Sequence, residues 1–175
     1  RGLKRKHAVV EMDDAELAGL VARMNRLTPR GFAFGGAVLL GDTDPGIAKV
    51  ISGARYALVW ARSALVETAG EGVGDVYTWL ADKCTQAMAA AELPHRREIE
   101  GIGKIVDVRK YLRRVEIAGD FVRAEVARAG LFGDLVIADA EVLITGSGSV
   151  KASEVATALA GDVPHRAVRL ALLAD

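Results

Sequence analysis

Apolar residues recur along this chain with two periods, and the changes of period mark the elements. Ala8–Met12 is a short apolar run that predicts a strand. From Asp13 the period becomes helical: Leu17, Leu20, Val21, Met24 and Leu27 share one face, and Asp13 with Glu16 forms an acidic capping box that opens the helix. Pro29 and Gly31 stop it. Phe32–Leu40 predicts a strand in which Gly35 and Gly36 point to a bulge or a close backbone approach. Asp44-Pro45 predicts a short helix ending near Gly53, because Pro suits the first helical position. Tyr56–Ala61 is apolar on both faces and predicts a central strand.

The glycine-rich stretch Glu67–Gly74 lacks either period and predicts a loop or subdomain seam. The longest helix is predicted from Gly74 to Ala91, with Val76, Tyr77, Leu80, Cys84, Ala87 and Met88 on one stripe. Arg96–Glu100 and Lys104–Lys110 flank a Gly-Ile-Gly turn and predict a hairpin, and Arg114–Ala118 with Phe121–Ala129 predicts another. Leu135–Ile144 predicts a strand, Ala152–Ala160 a helix, and Ala167–Leu173 a closing strand. Elements that interleave early and pair late indicate an α+β fold. The expected arrangement packs helices on one face of a mostly antiparallel sheet, with ferredoxin-like units. The expected organisation is a βαβαβ subdomain over 1–66 and a second α+β subdomain over 67–175, or one continuous domain. Pro94-His95-Arg96 recurs as Pro164-His165-Arg166, each after a helix and before a strand, which predicts a shared structural junction.

Composition narrows the function classes. The chain has 175 residues, 51% of them hydrophobic and 5% aromatic, enough for a core of Ala, Val and Leu. Lys and Arg number 23 against 23 Asp and Glu, so no bulk field points to nucleic acid or membrane. The single cysteine, Cys84, excludes an internal disulfide and any multi-thiolate metal site, and its place on an apolar stripe reads as a small buried hydrophobe. No apolar run approaches the ~20 residues that span a bilayer, and no signal pattern is present. No membrane partner is expected, and the expected location is cytoplasmic. The opening Arg1-Gly-Leu-Lys-Arg-Lys-His7 runs straight into a strand and reads as part of a longer chain.

Four groups of residues carry candidate chemistry. Asp107 and Arg109, two apart in a β-branched run, would share a strand face, as an anion-orienting couple or as a structural ion pair. Gly146-Ser147-Gly148-Ser149 with Lys151 precedes a helix whose first amides need acceptors, so it offers an anion site or an ordinary connection. His7, His95 and His165 would form a metal site only if the fold gathered them, and none is expected. Arg1–Lys6 and Arg109–Arg114 are basic clusters that read as phosphate contacts or as solvated faces. No nucleophile elbow, triad order or catalytic carboxylate pair occurs, and an independent enzyme is not expected.

Several landmarks resemble the radical SAM-linked family of unknown function. They are Asn25-Arg-Leu-Thr-Pro-Arg-Gly31 after a helix, Ala54-Arg-Tyr56 entering a strand, Val106-Asp-Val-Arg109, the run Gly146–Glu154, and Arg169 in the last strand. Two departures stand out: Ala152 occupies a place where the family has Pro, and the family's N-terminal Ser-His-Leu-Asp and Gly-Phe-Asn-Pro-His-Pro segments are absent. The resemblance implies a cytoplasmic accessory domain that works with a radical SAM protein, in modification of RNA or a ribosomal component. Radical SAM chemistry itself needs a three-cysteine cluster motif, which one cysteine cannot supply, so no cofactor is expected. The expected function is to position an anionic substrate, RNA in the first instance, through Asp107, Arg109, Ser147, Gly148, Ser149, Lys151 and Arg169. The alternative is a module that docks a partner protein and has no ligand site.

Overall fold

A computed structural model describes residues 12–29, 33–39, 50–70, 75–99 and 101–174. The chain divides into two compact units, Arg1–Pro45 and Gly46–Asp175. In the first, helix α1 (Asp14–Leu27) opens on the expected capping box: Asp13 Oδ1 accepts from Glu16 N at 2.8 Å, and Glu16 Oε2 accepts from Asp13 N at 3.1 Å. The Asn25 side chain clamps the returning chain, donating to Phe34 O at 3.0 Å and accepting from Phe34 N at 2.6 Å. Residues 33–39 form no strand, contrary to expectation. The pair of bonds to the Asn25 amide takes the place of a sheet partner there. The strand expected at Ala8–Met12 and most of the helix expected from Asp44 lie outside the described residues.

In the second unit, β1 (Ile51–Ala61) runs straight into helix α2 (Arg62–Ala69), and α3 (Val76–Ala89) follows. Ser52 and Gly53, expected to end a helix, are thus already strand. Glu67–Ala69, expected to be loop, continue α2. The chain then forms the hairpin β2 (Pro94–Ile99) and β3 (Ile102–Asp107), a single 3-10 turn (Val108–Tyr111), and β4 (Leu112–Ile117). After β4 come helix α4 (Asp120–Arg128), β5 (Leu135–Thr145), the two-residue β6 (Gly148–Ser149), helix α5 (Ala152–Ala160) and β7 (His165–Ala174).

The main sheet is antiparallel in the order β4-β5-β1-β7, with β6 folded back on β5. One face carries Leu58, Trp60, Val136, Ala138 and Ala140, against which α3 sets Leu80, Cys84 and Ala87 and α5 sets Val155 and Leu159. Each fully buried Leu or Val contributes about 1.5–3 kcal/mol. The fold is α+β, but helices cover both faces rather than one. Helix α4 lies on the opposite face, packing Val122 and Val126 on Ala57, Val59 and Ile137. That segment was expected to be a strand. Val122 and Val126 are one helical turn apart, Asp120 and Arg128 suit the helix dipole at its two ends, and burial of this four-residue period overrides the β-branched composition.

Candidate functional site

Among the described residues the expected groups do not form one site, and the basic cluster Arg1–Lys6 lies outside them. Asp107 and Arg109 share no strand face, because β3 ends at Asp107 and the 3-10 turn follows. The Asp107 carboxylate instead accepts from Leu93 N at 2.8 Å and Arg109 N at 3.0 Å, with Lys110 Nζ at 3.8 Å. Arg109 Nη1 donates to Leu112 O at 2.8 Å. Both side chains close a turn.

The glycine–serine run is a hairpin rather than an open loop. Ile144 pairs with Ser149 and Thr145 with Gly148, whose φ of 132° suits glycine. Thr145 Oγ1 and Ser147 Oγ lie 2.8 Å apart, and Tyr111 Oη donates to Ser147 O at 3.4 Å. The N-terminus of α5 already holds an anion. Glu154 Oε2 accepts from Lys151 N at 2.7 Å, and its carboxylate takes Arg97 Nε and Nη2 at 2.6 Å each. Arg97 Nη2 also donates to Ser149 O at 3.0 Å. Burial pushes the Glu154 carboxyl up, but Arg97 and the Lys151 amide together hold it below the usual carboxylate range. Arg169 is far from this place. It stands opposite Tyr56, which stands opposite Ala140, five residues and so about 17 Å along β5 from Thr145.

A charged cluster that the sequence reading passed over crosses three strands. Asp139, with a side chain only 3% exposed, accepts from Arg55 Nε at 2.9 Å, Arg55 Nη2 at 2.6 Å and Arg114 Nη2 at 3.1 Å. Arg114 also reaches Glu141 at 2.9 Å and pairs with Glu116. Burial raises the Asp139 carboxyl, and the Arg55 bond with the Arg114 charge outweighs it, leaving Asp139 below its ordinary range. An aspartate inside the apolar run Leu135–Ala140 was the available signal.

The other concentration of cations lies at one end of the main sheet. There Ala61 pairs with Leu135 and Trp60 with His165. Tyr77 Oη donates to Leu135 O at 3.1 Å, which ties the start of α3 to that end. Arg62 and Arg123 set their guanidinium carbons 5.8 and 5.7 Å from the Tyr77 ring centroid, within cation–π range. Among the described residues the one ion pair of Arg62 is with Asp134, at 3.6 Å. Arg166 follows His165 at the start of β7, and Phe132 is 76% exposed in the loop before β5.

His95 lies in β2 and His165 in β7, while His7 lies outside the described residues. Among the described residues no three His, Cys, Asp or Glu side chains are grouped to hold a metal ion. Cys84 is buried, and burial pushes its thiol up to about 12. Among the described residues no helix is long and apolar enough to cross a membrane. No family model, curated protein or solved structure matches this chain.

Proposed function

We propose that this chain is an accessory domain that positions an anionic substrate, RNA in the first instance, for a partner enzyme. The resemblance to the radical SAM-linked family supplies the partner: a radical SAM protein. The observation that carries the reading is the pair of guanidiniums, Arg62 and Arg123, against Tyr77 at the sheet end that also bears Arg166 and Phe132. Cations interleaved with aromatic rings are what a nucleic-acid strand uses, phosphates on the charges and bases on the rings. This places the proposed contacts away from Asp107, Lys151 and Arg169. An accessory role is further supported by the buried ionisable groups. Asp139 and Glu154 are held charged by arginines and Cys84 is held as a thiol, so none is poised for proton transfer. The order β4-β5-β1-β7, with helices linking β1 to β4 and β5 to β7, supports a ferredoxin-like unit into which the β2–β3 hairpin and α4 are inserted.

The test is binding to bulk transfer and ribosomal RNA at two salt concentrations. Affinity should fall with salt, and an Arg62→Ala/Arg123→Ala variant that remains folded should bind less and show a shallower salt slope. Absence of binding at low salt would remove RNA as the substrate.

A second reading, protein docking, is favoured by the β2–β3 hairpin, where Ile102 and Ile105 are 73% and 66% exposed. An Ile102→Lys/Ile105→Lys variant separates the two. Loss of partner co-purification with RNA binding intact would make the hairpin the docking element.

A further inference from the structure

Asp134, in the loop that leads into β5, is joined to the start of α2 by two contacts. Its backbone oxygen accepts from Arg62 N at 3.0 Å, and its carboxylate lies 3.6 Å from Arg62 Nη1. The preceding Gly133 has a φ of 115°, which suits glycine and sets the loop at this place. The first contact uses main-chain atoms only, so it survives a change of the Asp134 side chain. The second joins side chains that are 45% exposed in Arg62 and 68% exposed in Asp134, at a separation longer than a hydrogen bond. Solvated pairs of this kind contribute little and exchange readily. Arg123 is the other guanidinium against the Tyr77 ring, and it makes no ion pair among the described residues. The two cations beside Tyr77 are therefore unequal. One is open, and the other carries a carboxylate of the chain's own.

We propose that Asp134 is a built-in competitor for the substrate anion, holding Arg62 until a phosphate group displaces its carboxylate. The inference rests on the positioning reading above and names the residue that limits its affinity. A phosphate set on Arg62 meets the Asp134 carboxylate at close range, and like charges a few ångströms apart repel. Binding therefore requires the carboxylate to swing away. The main-chain bond keeps the loop in place while it does so, and the exposure of the side chain leaves it room in solvent. Asp134 touches the substrate only as a rival for Arg62, so it tunes retention without taking part in any reaction.

The test measures binding of bulk transfer RNA to the full chain at two salt concentrations, beside four variants whose folding is checked by thermal melting. They are Asp134→Asn, Asp162→Asn, Arg62→Ala and the double variant Arg62→Ala/Asp134→Asn. Asp134→Asn should bind about threefold more tightly at low salt, the size of one exposed ion pair. Asp162→Asn removes the same charge from an exposed position outside the ion pairs and should gain less. In the Arg62→Ala background the gain from Asp134→Asn should vanish, since the competitor has lost the cation it competes for. A merely structural role for Asp134 would move the melting temperature and not this coupling. A gain that persists without Arg62, or that Asp162→Asn matches, would reflect net charge alone and overturn the proposal. Salt-dependent binding with equal affinities for the unsubstituted chain and Asp134→Asn would overturn the competitor and leave the positioning reading standing. No binding by either at low salt would end that reading and the competitor with it.

Discussion

Arg97 in β2 and Glu154 in α5 are 57 residues apart in sequence and joined by two hydrogen bonds of 2.6 Å. Glu154 is buried, with its side chain 6% exposed. The pair fastens the β2–β3 hairpin to the start of α5, and the same carboxylate caps the Lys151 amide. It fills the place an external anion would need.

Removing the cation alone should therefore be costly. Arg97→Ala leaves Glu154 buried without its partner, and a loss of about 3 kcal/mol is expected. Urea unfolding would show it as a lower midpoint at constant slope. A change below about 0.5 kcal/mol would mean that the pair is solvated in solution.

Stability should depend on acid in a defined direction. Burial by itself raises Asp139 and Glu154, but their arginine partners reverse this and hold both low in the folded state. The unfolded chain therefore binds protons first as pH falls. The stabilisation is fully present above the ordinary carboxylate range and is lost as pH drops through the lowered folded values, from about pH 5 downward. Melting temperature against pH should show this, with a shallower acid limb for Asp139→Asn. Parallel curves for the two proteins would refute the assignment.

Gly53 in β1 has a steric role. A Cβ built there would lie 2.6 Å from the backbone oxygen of Val142 on β5. Gly53→Ala should force the two central strands apart and cost roughly 1–3 kcal/mol. Gly119→Ala makes the comparison, since nothing lies within 4 Å of a Cβ there. Equal melting temperatures for the two variants would contradict the close approach.

Cys84 should resist thiol reagents while the chain is folded. Its thiol is buried and pushed up to about 12, so little thiolate forms at neutral pH. Labelling should be limited by opening of the core and accelerate with denaturant. Immediate labelling of the native chain would show that the α3 packing is looser than described.

Several elements were legible because one local period fully specified them. The capping box of α1, the stripe of α3, α5 and the double-sided apolar run of β1 all emerged at the expected places. The α4 segment misled because Val122 and Val126 fit a strand by composition and a helix by spacing. Asp107 misled because a short acid at the end of a strand alternates like a strand residue until its carboxylate caps the next turn. The sheet-end cluster was invisible, since Arg62, Tyr77, Arg123 and Arg166 belong to four segments.

Local patterns in the chain were enough for the α+β class, the places of the longer helices and central strands, and the burial of Cys84. These follow from periodicity and side-chain size, which act over a few residues. Which charges meet depends instead on how the strands and helices pack. Register across β1, β4 and β5 brings Arg55 and Arg114 to Asp139. The return of the hairpin brings Arg97 to Glu154. The common end of β1, β5 and β7 places Trp60, Phe132, His165 and Arg166 around one cavity. Coulombic and hydrogen-bond partners are chosen by distance in space, and no local pattern encodes a separation of tens of residues.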